Sequence, residues 1–134
     1  MPVGDRRHGV DGARAVAASV PEPFRHDAVE AALVHDVGKR HVRLGVFGRS
    51  VATVIGWFVR SDASRVALAG RAGPFGRVGR YLRHDAVGAE EVAAAGGSPL
   101  AVGWTADHHH RSGFSSLPAP AAAVEALDAA DHDF

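Results

Sequence analysis

Apolar positions along this chain recur at three- and four-residue spacing, and strand-type alternation persists nowhere. The pattern predicts an all-α fold. A first helix over about Asp5–Ala18 places His8, Gly12, Ala15 and Val16 on one face. Pro21-Glu22-Pro23 breaks the chain, and a second helix over Arg25–Val37 carries Val29, Ala32, Leu33 and Asp36 along one stripe, with Gly38 as its stop. Residues Val42–Gly70 predict one longer and one shorter helix broken near Ser61-Asp62, followed by a Gly/Pro-rich loop over Gly70–Gly76 and a short helix over Arg77–Arg83. Asp85 reads as the N-cap of a helix to Ala95, which Gly96-Gly97 ends. Ser98-Pro99 has the cap-then-proline order that opens a helix, here one with Leu100, Trp104 and His108 at i, i+4 and i+8. Ser112–Leu117 reads as a loop, and Pro118 and Pro120 introduce a last helix to about Asp131.

At 134 residues the whole chain, 1–134, is expected to form one compact single-domain helical bundle. The 46% hydrophobic content excludes a disordered tail. Cys is absent, which excludes disulfide scaffolds, thiolate zinc sites and cysteine nucleophiles. Formal net charge is zero, so no basic field for a nucleic-acid polymer is expected. The charged start, Met1–Arg7, is not followed by a leader-type apolar run. The most membrane-like stretch, Ser50–Val59, is about half the ~20 residues a spanning helix needs, and reads as a buried core helix without membrane contact. A cytoplasmic location is the default expectation.

The histidines change this bland picture. Nine are present, and His-Asp occurs four times, at His26-Asp27, His35-Asp36, His84-Asp85 and His132-Asp133. Only His35-Asp36 ends an apolar helical run, Ala31-Ala32-Leu33-Val34, so only it sits where the chain leaves the core. A buried carboxylate is costly without a partner, and an imidazole beside a carboxylate forms a hard-to-intermediate ligand set. Capping and pairing at a helix end is the plainer use of the same two residues. The cations are also unevenly chosen, Lys39 being the single Lys among fourteen Arg.

The run Ala31-Ala32-Leu33-Val34-His35-Asp36-Val37-Gly38-Lys39 resembles the signature of the HD superfamily of metal-dependent phosphohydrolases. The flanking order agrees. Arg7-His8-Gly9-Val10 lies upstream, and Leu82-Arg83-His84-Asp85-Ala86-Val87-Gly88-Ala89-Glu90, Asp107-His108-His109-His110 and Ala129-Ala130-Asp131 lie downstream. The order His, His-Asp, His, His, Asp spans nearly the whole chain and is most similar to small stand-alone HD proteins with two metals, bacterial diadenosine-tetraphosphate hydrolases among them. It departs from the cyclic-dinucleotide phosphodiesterases of the superfamily, which carry Asp-Gly-x-Gly-Tyr-Pro where this chain reads Arg111-Ser112-Gly113-Phe114-Ser115.

The resemblance implies an HD-type helical domain binding one or two divalent ions, of Fe, Mn, Co, Ni, Zn or Mg. His8, His35, Asp36 and Asp131 would surround the first ion. Asp36, catalytic as the bridge, would share the second with His84 and His108. Asp131 lies on the stripe Val124, Leu127, Asp131, with Asp128 as the alternative. Register favours His108, which follows Leu100 and Trp104. His109, about 100° round the helix, is a further ligand or outer neighbour, and His110, about 200° round, faces solvent. His26, His41 and His132 read as surface residues. Lys39 is the second catalytic candidate, contacting substrate phosphate as a point charge, with Arg83 and Arg111 as bidentate partners. The implied activity is hydrolysis of a nucleotide-like or other small phosphorylated molecule. A metal-binding regulatory module without turnover and a di-iron oxygenase are the alternatives.

Overall fold

The computed structural model describes residues 3–42 and 44–133, so Met1, Pro2, Arg43 and Phe134 lie outside the description. The described residues are all-α, with no strand among them. The helices are α1 (Val3–Ser19), α2 (Arg25–Val34), α3 (Val46–Phe58), α4 (Asp62–Ala69), α5 (Gly73–Tyr81), α6 (His84–Ala94), α7 (Pro99–Asp107) and α8 (Ala121–Asp133), with 3₁₀ turns over Val37–His41 and Arg111–Ser116. The backbone clusters into two compact units. The first joins Met1–Gly38 to Asp85–Phe134, and the second is Lys39–His84.

In the first unit α1 packs on α2 and α8, and α2 also packs on α7 and α8. The apolar stripes of these helices meet in one core built on Val16, Val20, Leu100, Trp104, Val124 and Leu127. Each large side chain so buried contributes roughly 1.5–3 kcal/mol. Small residues set the spacing. A Cβ on Gly12 would touch the Ala130 carbonyl of α8, and one on Gly88 would lie 3.1 Å from both Gly38 N and Thr105 Cγ2. Gly88 therefore lets α6 approach the turn after His35-Asp36 more closely than any other residue would. Ser98 caps α7 by accepting from Ala101 N at 3.2 Å, and its own N–H donates to Glu30 Oε2 at 3.1 Å, tying α7 to α2.

The second unit is a smaller assembly of α3, α4 and α5. Ser61 caps α4 by accepting from Ser64 N at 3.2 Å. α5 lies so close to α4 that a Cβ on Gly79 would meet the Leu68–Ala69 backbone, and one on Gly76 would meet the Arg71 carbonyl. Few side chains are buried here, chiefly Val42, Ala52 and Val78.

Several boundaries differ from the sequence pattern. α2 ends at Val34 and the chain tightens into the 3₁₀ turn, so Gly38 has no positive φ and is no left-handed stop. Leu33 is exposed, because α2 buries Ala28, Ala31 and Ala32 instead. α5 starts at Gly73, four residues early, since Pro74 in a first turn favours a helix more than a loop. α6 starts at His84, which puts Asp85 in its first turn and not at its cap. Ser112–Leu117 is mostly 3₁₀ and not open loop.

Ser50–Val59 is helical but is not a buried core helix. Ala52 is fully buried, whereas Val51, Val54, Trp57 and Phe58 are exposed, because the unit supplies packing to one face only. No helix among the described residues is long and apolar enough to cross a membrane.

The zero net charge also conceals an uneven distribution. Residues 39–84 hold Lys39 and nine arginines against one acid, Asp62, a net of +9. The rest of the chain carries fourteen acids and five arginines, a net of −9.

Candidate metal centre

The first unit brings five of the expected ligand residues together. His8 comes from the middle of α1, His35 and Asp36 from the turn after α2, His108 from the C-terminal end of α7 and Asp131 from α8. His35, Asp36 and His108 are buried, while His8 and Asp131 are partly so. Asp131 Oδ1 lies 3.2 Å from His8 Nε2 and 3.1 Å from His35 Nε2. Asp36 turns its oxygens to different imidazoles, Oδ2 at 3.8 Å from His35 Nε2 and Oδ1 at 3.8 Å from His108 Nε2. Ring centroids are 5.5 Å apart for His8 and His35, and 5.0 Å apart for His35 and His108. His8, His35 and Asp131 form one group with metal-binding spacing, and His35, Asp36 and His108 form another.

The backbone decides which ring nitrogen faces the cluster. His35 Nδ1 lies 2.9 Å from the Ala32 carbonyl, and His108 Nδ1 lies 3.2 Å from the carbonyls of Trp104 and Thr105. A carbonyl oxygen only accepts, so Nδ1 carries the proton and Nε2 is the lone-pair nitrogen of the neutral ring. This is the arrangement by which outer hydrogen bonds orient histidine ligands toward a metal. His35 Nε2 is buried without a well-directed hydrogen bond, although a carboxylate oxygen lies 3.1 Å away. Such a pair of electron-rich atoms could hold a cation, and the nitrogen-and-oxygen donor set fits a divalent ion of intermediate hardness.

Protonation follows the same geometry. Burial alone would lower the His35 pKa, but the carboxylates of Asp131 and Asp36 outweigh it and hold the imidazole above its ordinary value. Burial also opposes charge on Asp131, yet His35 and His8 keep its carboxyl well below the usual carboxylate range. His108 is pushed down to about 4, by burial first and by the neighbouring His109 imidazole next, against the pull of Asp85. It is therefore neutral, and able to ligate, near pH 7.

Trp104 lies beneath the cluster, its ring 6.2 Å from that of His108 and 5.2 Å from that of Phe114. With Gly12, Ala32, Leu127 and Ala130 it walls a small cavity that opens onto His8, His35 and Asp131. Asp128, the alternative to Asp131, faces elsewhere and accepts from Arg111 Nη2 at 2.6 Å. Arg111 is thus an exposed, paired residue. His109 is exposed, with its ring 3.9 Å from that of His108, and His110 is exposed as well.

The remaining expected residues belong to the second unit. His84, its last residue, is buried, stacks on Tyr81 at 5.2 Å and has Nδ1 2.6 Å from the Tyr81 carbonyl, the same anchoring that His35 and His108 show. Arg83 Nε lies 3.5 Å from Asp62 Oδ1. Lys39 is half-buried in the 3₁₀ turn.

One neighbour of the cluster escaped the sequence reading. Asp85, His108 and His109 each offer a ligand atom within 4.8 Å of the others. The signal was present, since His84-Asp85 is one of the four His-Asp dipeptides, but the capping role hid it. His26, Asp27 and Glu30 also gather on α2, in exposed or half-exposed positions where Glu30 serves the start of α7. No protein-family model, no curated protein and no solved structure matches this chain.

Proposed function

We propose that the chain is a metal-dependent phosphohydrolase of the HD superfamily, acting on a nucleotide-like or other small phosphorylated molecule. One observation carries this reading. Buried His35 and His108 each hold Nδ1 on a backbone carbonyl and present Nε2 to Asp36, while Asp131 draws in His8 beside them.

Divalent ions held there would supply Lewis-acid polarisation of phosphoryl oxygens and would acidify water toward neutral pH. His8, His35, Asp36 and Asp131 are the residues for one ion, and Asp36 with His108 for another. The assignment of His84 to that second ion rests on the sequence order and on its matching Nδ1 anchor. Asp36 suits the bridging role because its two oxygens face different imidazoles. Asp131 orients His8 and His35 through one oxygen, and the Trp104 and Leu127 wall limits water beneath them. Lys39 is assigned to substrate phosphate as a compact charge, with Arg83 as an auxiliary contact. Arg111 keeps a role only if phosphate displaces it from Asp128.

A phosphate-release screen over nucleotides and dinucleoside polyphosphates tests the reading, run on metal-loaded protein beside Asp36→Ala. Metal-dependent release by the parent and none by the variant is expected. Equal release by both, or oxygen consumption with an iron-loaded protein and no phosphate release, would overturn it.

A further inference from the structure

We infer that residues 39–84 form a membrane-surface module that lays the outer face of α3 on anionic lipid headgroups. The inference does not rest on the metal centre. Two independent observations meet on this one unit. The first is its charge, net +9 across 46 residues with Asp62 as the one acid, already 3.5 Å from Arg83. Three of these arginines, Arg40, Arg77 and Arg80, line one open basin with His41 and Val42, and a net charge of this size on one unit favours an anionic partner.

The second observation is the apolar stripe. Phe47, Val51, Val54 and Phe58 stand at i, i+4, i+7 and i+11 of α3, within one narrow sector of the helix, and all are exposed. Phe47 and Phe58 are each 83% exposed and Trp57 is 64% exposed. Val66 and Phe75 add exposed apolar surface on α4 and α5. The opposite face of α3 is the packed one, with Ala52 fully buried and Gly56 against Leu82. An amphipathic helix with an aromatic-rich free face, carried on a unit of net +9, is suited to lie in the headgroup plane and not to span.

Charge and shape select lipid over the other occupants. A nucleic acid would meet the arginines but gives Val51 and Val54 nothing to pack on. A second copy meeting α3 face to face would set +9 against +9. The acidic remainder of the chain offers only Val10, Phe24 and Leu33 as exposed large apolar side chains among its described residues, too few to cover the stripe. A bilayer containing anionic lipid satisfies both features at once.

The test is co-sedimentation of the full chain with vesicles of phosphatidylcholine alone, or of phosphatidylcholine mixed with phosphatidylglycerol. Binding to the mixed vesicles is expected to exceed binding to the neutral ones by about tenfold or more, and to weaken with salt. Of the two tryptophans Trp104 is already buried, so a blue shift on vesicle addition reports Trp57. The triple variant Val51→Ser, Val54→Ser, Phe58→Ser and the double variant Arg60→Glu, Arg77→Glu change exposed positions. Each should lower vesicle binding by about tenfold or more while leaving the melting temperature in place. Failure to sediment with either vesicle, equal binding to both, or a triple variant that binds like the parent would overturn the proposal. Tighter binding to a duplex DNA probe than to mixed vesicles would also overturn it, as would a dimer in light scattering that the triple variant abolishes while vesicles stay unbound.

Discussion

Asp131→Asn removes one charge from the cluster at almost constant volume, and its effect on chelator-treated protein can be worked out from the geometry. Asp131 Oδ1 serves both His8, at 3.2 Å, and His35, at 3.1 Å, with its side chain only 14% exposed. A charge-assisted contact at such a site contributes about 1.5–3 kcal/mol, and two that share one acceptor and retain some solvent contribute less than their sum. A loss of about 2 kcal/mol, or roughly 8 °C in melting temperature for a chain of this size, is expected where both partners are charged. The pH window follows from the shifts. The His35 pKa is raised, so its contribution is complete below about pH 6.5 and fades as pH rises through the folded value. The Asp131 pKa is depressed, so its contribution is complete above about pH 4 and fades on acidification. The difference between parent and variant should therefore peak between about pH 4 and 6.5 and shrink toward pH 9. Thermal melts followed by circular dichroism over that range measure it. A difference that is flat with pH, or that grows toward pH 9, would mean that Asp131 does not pair with a protonated His35.

Other outcomes follow from the same structure. Metal affinity should fall by up to about tenfold per pH unit below pH 6.5, because an ion at His35 must displace a proton, and titration calorimetry showing a flat profile would count against that. Gly88→Ala places a methyl group 3.1 Å from Gly38 N and Thr105 Cγ2, and should cost about 1–3 kcal/mol in a denaturant melt, whereas parental stability would deny the close approach. Lys39→Ala should keep parental metal content and lower kcat/KM on phosphorylated substrates by about tenfold or more, with Lys39→Arg restoring only part. Unchanged kinetics with a slightly lower melting temperature would instead make Lys39 a helix-end residue.

The residues of the candidate centre were expected from the resemblance to the HD superfamily, and helical register then chose among neighbours. His108 inherits the inward direction of Leu100 and Trp104, and Asp131 that of Val124 and Leu127, which is why Asp128 turns to Arg111 instead. That His35-Asp36 sits where the chain leaves the core was legible from the apolar run before it, although the helix was expected to run on to Val37 and ends at Val34. Less was visible where packing overrides local pattern. The closeness of α6 to the 3₁₀ turn after His35-Asp36 depends on Gly88 meeting Gly38 across 50 residues, and Asp85, in the first turn of α6, has its carboxylate near His108. Periodicity finds the apolar faces of α3 but not how much protein is present to cover them, so Ser50–Val59 read as core. A chain-wide charge of zero likewise carries no information about the ten cations gathered between residues 39 and 84.

Every catalytic assignment above needs the His/Asp cluster to hold a divalent ion. Elemental analysis of the purified full chain, beside Asp36→Ala, Asp131→Ala and Asp128→Ala, measures this. At least one equivalent of divalent metal is expected in the parent and in Asp128→Ala, whose carboxylate serves Arg111. Loss is expected from Asp36→Ala and reduction in Asp131→Ala. A parent that takes up none of Fe, Mn, Co, Ni, Zn or Mg, or an Asp36→Ala variant with parental content, would contradict it.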